Sequence, residues 1–138
     1  MSGNDKATDK PRTLTEVIIG CAIKVHNTLG VGFLEKVYEN ALVHELRKAG
    51  LKAEQQVPLS VFYDDIAVGN FFADILVESK VILELKVAIR LNDEHSAICM
   101  NYLRASKHPV CLLFNFGTPR LEIKRHVGAS YIDYKEPL

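Results

Sequence analysis

Three charged side chains stand where a folded chain rarely keeps them. Glu84 and Lys86 lie two residues apart inside the apolar run 81–87, and Asp74 interrupts the stretch Phe71-Phe72-Ala73-Asp74-Ile75-Leu76-Val77. A strand sends residues i and i+2 to one face, so Glu84 and Lys86 share a face amid apolar neighbours. Charge in that setting is costly unless it is paired or coordinating. The strand carrying Asp74 is expected to pair antiparallel with 81–87 through a short turn. Two carboxylates and a lysine so placed could hold a hard divalent cation with open water positions, the arrangement that metal-assisted phosphodiester hydrolysis needs. The same residues equally fit a buried Asp/Glu–Lys salt bridge that only fixes strand register. The spacing alone leaves both readings open.

Other residues offer less. Cys21, Cys99 and Cys111 are far apart, odd in number and flanked by apolar residues, with no C-x-x-C pair, so they are expected to be small core residues in a reducing compartment. Gly30-Val31-Gly32 lacks a third glycine and follows a helix rather than a strand, which excludes a dinucleotide-binding turn. No serine or cysteine has a base partner at a recognisable spacing, so nucleophilic catalysis is not indicated. Glu94-His95 reads as a solvated first helical turn. Arg104, Lys107, Lys124 and Arg125 either form a modest basic rim for a nucleic-acid backbone or are ordinary surface scatter.

The elements that must position these residues follow from periodicity. Thr13-Leu-Thr-Glu16 fits a capping box, and Val17, Ile18, Cys21, Ala22, Val25 and Leu29 recur at helical spacing, predicting a helix over about 14–28. After the Gly30–Gly32 break, Leu34, Val37, Tyr38, Ala41, Leu42 and Leu46 predict a second helix that stops at Gly50. From residue 51 the period changes to two. Val57, Leu59 and Val61 mark one strand, Asp64-Asp65 a turn, and 67–77 a second strand with a bulge or bend at Gly69-Asn70. Strand 81–87 is apolar on both faces and is expected to be central. Asn92-Asp93-Glu94 starts a third helix that ends before His108-Pro109, and strands over 110–116 and 120–127 follow. The order ααβββαββ describes an α/β sandwich, a mixed sheet with helices packed on its faces.

Composition sets the outer bounds. The 138 residues suffice for one domain, and 48% hydrophobic with 25% charged residues excludes a collagenous, low-complexity or wholly disordered chain. Seventeen Lys+Arg balance 17 Asp+Glu, so any contact with a polyanion must come from local patterning. The apolar run from Val17 stops at Lys24, short of the roughly 20 residues that a membrane helix requires. Residues 1–12 read as a flexible tail without the apolar core of a signal peptide, 13–132 as a single domain and 133–138 as a C-terminal tail. Cytoplasmic residence is the expectation.

The second helix adds a motif. Gly32-Phe33-Leu34-Glu35-Lys36-Val37-Tyr38 spells G-x-x-E-x-x-Y, and over residues 18–127 the chain resembles the GxxExxY family, a branch of the PD-(D/E)XK nuclease superfamily. The likeness includes Val25-His26, Leu29-Gly30, Gln56-Val57-Pro58-Leu59, Ala73-Asp74-Ile75-Leu76-Val77, Glu84-Leu85-Lys86, Asn101-Tyr102-Leu103-Arg104 and Asn115-Phe116-Gly117. The resemblance implies a restriction-endonuclease-like sandwich with Asp74, Glu84 and the Leu85 carbonyl as ligands of Mg²⁺ or Mn²⁺. It implies that Lys86 positions the attacking water or stabilises the charged phosphorane, and that Glu35 is an additional acid from the helix. His26, Tyr38 and Tyr102 could support these groups from behind, although His26 and Tyr38 also fit as core residues. Nucleic acid is the implied partner, a homodimer a further option, and no membrane is involved.

Two positions depart from the family pattern. Phe72 stands where many relatives have an arginine, which removes a phosphate contact, and Ile98 stands where many have a glutamine, which removes a polar group near the metal. The expectation is therefore a Mg²⁺- or Mn²⁺-dependent phosphodiesterase acting on DNA, with RNA as the alternative. The rival is a non-catalytic module of the same fold that binds nucleic acid or a protein.

Overall fold

The computed structural model describes residues 12–134, so the tails expected over 1–12 and 133–138 lie outside it apart from Arg12, Asp133 and Tyr134. Helix α1 (Leu14–Leu29) begins with the expected capping box: the Thr13 amide donates to the Glu16 carboxylate at 2.9 Å and the Glu16 amide to the Thr13 hydroxyl at 3.3 Å. These bonds satisfy two of the amides that every helix start leaves open. Helix α2 (Glu35–Lys48) folds back on α1, and both present their apolar stripes to one face of the sheet.

Five strands follow: β1 (Ala53–Tyr63), β2 (Ile66–Val77), β3 (Val81–Lys86), β4 (Val110–Asn115) and β5 (Glu122–Val127), in the spatial order β1-β2-β3-β4-β5. Only β3 and β4 run parallel, and α3 (Asp93–Ser106) makes the crossover between them over the other face. A short 3₁₀ turn over Ala129–Asp133 follows β5. The sheet is thus mixed, with α1 and α2 on one side and α3 on the other. As its two-faced apolar pattern required, β3 is the central strand, and Val81, Ile82, Leu83 and Leu85 are fully buried. At roughly 1.5–3 kcal/mol for each side chain of this size, burial on both faces makes β3 a stiff support for Glu84 and Lys86.

The cores on the two faces share no side chain. Ile75, Val77, Leu83, Leu85 and Phe114 pack beneath α1 and α2, whereas Leu76, Ile82 and Leu113 pack against Cys99 and Leu103 of α3. Among the described residues all three cysteines are free thiols, with Cys99 and Cys111 buried in the second core. No helix among them is long and apolar enough to cross a membrane.

Two irregularities shape the β1–β2 hairpin. The expected bulge falls one residue early: Asn70 and Gly69 stay in register with Ser60 and Val61, and Val68 is the residue skipped before Ala67 pairs with Phe62. A hydrogen bond from Ser60 to Asn70 at 2.9 Å holds the pair that the glycine was expected to disrupt. The second irregularity is at Gln56, whose φ of 51° is left-handed and whose pairing with Asp74 is missing from the ladder. On either side of that point the inward faces reverse. Ala53, Ile75 and Val77 enter the first core, whereas Leu59 and Ala73 enter the second.

The exit of β3 is pinned by one buried amide. The Asn115 carbonyl accepts from the Ala88 and Gly117 amides, both at 2.9 Å, and its NH₂ donates to the Ala88 carbonyl at 3.1 Å and to Glu122 at 2.8 Å. At Gly117 a β-carbon would lie 2.6 Å from the Ala88 backbone, so only glycine permits this approach. Asn115→Ala strands the Ala88 and Gly117 amides. It should cost about 2–3 kcal/mol in chemical denaturation, against less than about 1 for the half-buried Ser60→Ala. Equal midpoints for the two variants would refute the role given to Asn115.

Candidate active site

Strands β2 and β3 pair over only three steps, from Val77 opposite Val81 to Ile75 opposite Leu83. The next pair would be Asp74 and Glu84. Here side chains replace the backbone ladder: the Asp74 amide donates to Glu84 Oε2 at 3.0 Å, and the Leu85 amide donates to Asp74 Oδ2 at 2.8 Å. Each carboxylate thus satisfies an amide of the opposite strand, which lets the strands part without orphaned donors. One oxygen of each carboxylate is used in this way. The other remains for a further partner.

Burial and like charge dominate the electrostatics. Glu84 is 3% exposed, and burial, followed by the charge of Asp74, pushes its carboxyl up to about 9. Asp74 is raised as well, first by burial and then by the charge of Glu39, against the lowering bond from Leu85. The Lys86 ammonium lowers both, but as a lesser influence. Among the described residues it forms no salt bridge. The buried ion pair that would merely fix strand register is therefore not made, and two carboxylates share a site with one loosely engaged cation.

Helix α2 supplies acids from the other side. Glu35 is half-buried at its first turn, and burial and the Asp74 charge raise its carboxyl, so it belongs to the same electrostatic cluster. The acid with direct contacts is one that sequence reasoning missed. Glu39, one turn on and 3% exposed, accepts from Gln56 at 3.0 Å on one oxygen and from Gln55 and Lys36, at 2.8 and 2.9 Å, on the other. The same Gln56 amide reaches Asp74 Oδ1 at 3.4 Å. Left-handed backbone at a non-glycine residue is uncommon, and here it turns the amide between two carboxylates. The i, i+4 spacing of Glu35 and Glu39 was the available signal, since it puts both on one helix face.

The remaining candidates divide. Tyr102 on α3 packs against Phe71, with ring centroids 5.5 Å apart, and burial with the charges of Glu84 and Asp74 pushes its phenol up to about 12. It therefore flanks the carboxylates. Tyr38 does not reach Glu35. Its hydroxyl donates to the Gly30 carbonyl at 2.6 Å and accepts from the Phe33 amide at 3.2 Å, while its ring stacks on Phe116 at 4.8 Å. Together with Gly32 at φ 115°, it clasps the α1–α2 loop and so sets where α2, and Glu35, begin. His26 is buried against Phe116 and bonds the Thr118 carbonyl at 2.8 Å, a packing role on α1. Phe72 is 53% exposed opposite Pro58, and Ile98 is half-buried one turn before Tyr102.

Among the described residues no three His, Cys, Asp or Glu side chains converge on one point. Two carboxylates fit a hard cation that keeps most of its water, as Mg²⁺ does. Glu39, saturated by two amides and Lys36, is placed to orient rather than to ligate.

A family model described as the PD-(D/E)XK nuclease superfamily matches residues 12–126. No curated protein and no solved structure matches the chain.

The raised Glu84 carboxyl fixes the sign of a pH effect. Its folded value, about 9, lies above its ordinary value of 4.5, so its contribution to stability is full below 4.5 and is lost as pH rises through about 9. In EDTA the melting temperature should fall from about pH 6 to about pH 9, and Glu84→Gln should flatten that fall. Parallel pH profiles for the two proteins would refute it.

Proposed function

Because the chain belongs to the PD-(D/E)XK nuclease superfamily, we propose that it hydrolyses phosphodiester bonds of DNA, RNA being the alternative substrate, with Mg²⁺ or Mn²⁺ held by Asp74 and Glu84. The observation that carries the proposal is the crossed pair of carboxylate-to-amide bonds at the parting of β2 and β3. It fixes two acids at one opening and leaves each an oxygen outside the crossed pair, that of Asp74 also reached by the Gln56 amide at 3.4 Å. When bound, the ion supplies Lewis-acid polarisation of the phosphate and lowers the pKa of water.

The chain's own groups do the rest. Asp74 and Glu84 ligate, and the Leu85 carbonyl is the backbone donor between them. Lys86, on the same face as Glu84 and free of salt bridges among the described residues, orients the attacking water and offsets charge that develops on the phosphoryl oxygens. Gln56, gripped by Glu39, holds Asp74 in its orientation. Glu35 stands at the mouth as a proton acceptor whose raised carboxyl suits that task. Within the superfamily, Gly32 at positive φ, Glu35 facing the site and Tyr38 clasping the loop support placement in the GxxExxY branch. One observation favours the non-catalytic reading: the exposed Phe72 offers no phosphate contact where many relatives carry an arginine.

Asp74→Asn keeps an oxygen for the Leu85 amide but removes charge. Without metal its melting temperature should equal or exceed the parent's, whereas Mn²⁺ should stabilise the parent alone. Cleavage of labelled DNA in Mn²⁺ should fall at least about 100-fold in Asp74→Asn and in Lys86→Ala, but only Lys86→Ala should still bind Mn²⁺ in calorimetry. A metal-insensitive parent together with a marked loss of stability in Asp74→Asn would sink the nuclease reading. Glu39→Ala should weaken Mn²⁺ binding or slow turnover about 10–100-fold while the fold survives. Unaltered metal binding and turnover would remove Glu39 from the site.

A further inference from the structure

Beyond Gln56 and Asp74 the β1–β2 hairpin projects past the paired part of β3, and it is apolar where solvent would favour polar residues. Phe62, Tyr63, Ile66, Val68, Phe71 and Phe72 are all exposed, Phe62 at 63%. Beneath it lies an open groove of about 520 Å³, with Val61, Phe62 and Phe71 on the hairpin wall and Asn101, Arg104 and Lys107 on the α3 wall. A second groove, of about 510 Å³, shares Arg104 and Lys107 and continues around the end of α3 to Val127 and Ser130.

The charge of this surface is one-sided. Neither groove has an acidic residue in its lining, and among the described residues neither Arg104 nor Lys107 forms a salt bridge. Lys107 caps α3 in a left-handed conformation, φ 61°, and its amide closes on the Leu103 carbonyl, which sets its side chain at the negative pole of the helix. At the other end the groove approaches the acids, because Phe71, which lines it and packs on Tyr102, stands on β2 just before Asp74.

Resting on the phosphodiesterase reading above, we infer that this groove binds an unpaired nucleic-acid strand and leads it to Asp74 and Glu84, with bases stacked on Phe62 and Phe71 and phosphates on Arg104 and Lys107. Aromatic faces on one wall and cations on the other suit unpaired bases, whose π-faces a duplex keeps covered. The chain carries no net charge, so it lacks the broad basic field with which duplex binders track many phosphates. A two-fold contact between copies centred on this groove would set Arg104 and Lys107 against their own counterparts. The substrate class that follows is a single strand, or a locally opened one.

The test is fluorescence anisotropy in EDTA, with a labelled oligothymidylate of about 20 nucleotides and a blunt DNA duplex as probes. The single strand should bind at least about tenfold tighter. Arg104→Gln combined with Lys107→Gln should weaken that binding at least tenfold and lower its salt slope by about 1.4, two phosphates at about 0.7 each. Phe62→Ala should weaken it about tenfold with the salt slope unchanged. Equal affinity for the duplex, no binding of the single strand, or full affinity in both variants would overturn the inference. So would self-association at the same protein concentration that Phe62→Ala abolishes, which would give the hairpin to a second copy. Adding Mn²⁺ separates this inference from the reading beneath it. Groove-dependent binding without cleavage leaves the groove standing and removes the phosphodiesterase, whereas cleavage undiminished in the groove variants does the reverse.

Discussion

The structure turns on an exchange of acceptors between two strands. At the end of the β2–β3 ladder the amides of Asp74 and Leu85 are answered by carboxylates instead of carbonyls. A continued ladder would satisfy the same amides and leave no opening. The exchange lets the strands separate, keeps their donors paired, and brings two acids together in one step. Where the carboxyl is ionised such a bond is stronger than an amide–carbonyl bond, so the parting can be fixed rather than frayed. What they do not supply is a countercharge. Glu84 is buried beside Asp74 with Lys86 free of salt bridges among the described residues, so burial and the Asp74 charge raise its carboxyl in the metal-free protein.

That arrangement needs a frame that does not yield. The frame is the pair of cores on either side of β3 and β4, both strands being apolar on both faces. The ends of the elements are pinned separately. Asn115 ties the exit of β3 to β4 and β5, and Tyr38 ties the loop before α2. Each acid in the cluster therefore stands on a helix or a strand, the condition under which side chains hold a geometry more closely than a loop allows.

The elements were legible because their periods are strong. A two-faced apolar run can only be a central strand, and the three helices carry ordinary stripes and caps. Asp74, Glu84 and Lys86 were legible for the opposite reason, as charges breaking apolar runs. Glu39 and Gln56 were not. Glu39 sits in a helix whose surface carries many charges, and only its i, i+4 spacing from Glu35 set it apart, since nothing in residue type shows that it is covered by β1. The left-handed backbone of Gln56 has no signature either, since glycine or asparagine usually marks such a position. Tyr38 read as either core or partner to Glu35 because the loop it clasps is defined only once α1 and α2 have packed. The Val68 bulge lies one residue from its expected place because the Ser60–Asn70 side-chain bond outweighs the permissiveness of Gly69.

The strain at Gln56 has a structural return. Its left-handed backbone reverses the inward face of β1, and β2 reverses with it at Asp74, so Leu59 and Ala73 can join the core beneath α3. The same residue presents its amide to Glu39 and Asp74. A conformation disfavoured for a glutamine persists where the surroundings over-determine it, and here two carboxylates and two reversed strands do so. One residue therefore sets both the direction in which the hairpin leaves the sheet and the orientation of a carboxylate at its base. Asp74 lies on β2, so the apolar arm and one acid of the pair share a strand, and the Gln56 amide adds a second link between them.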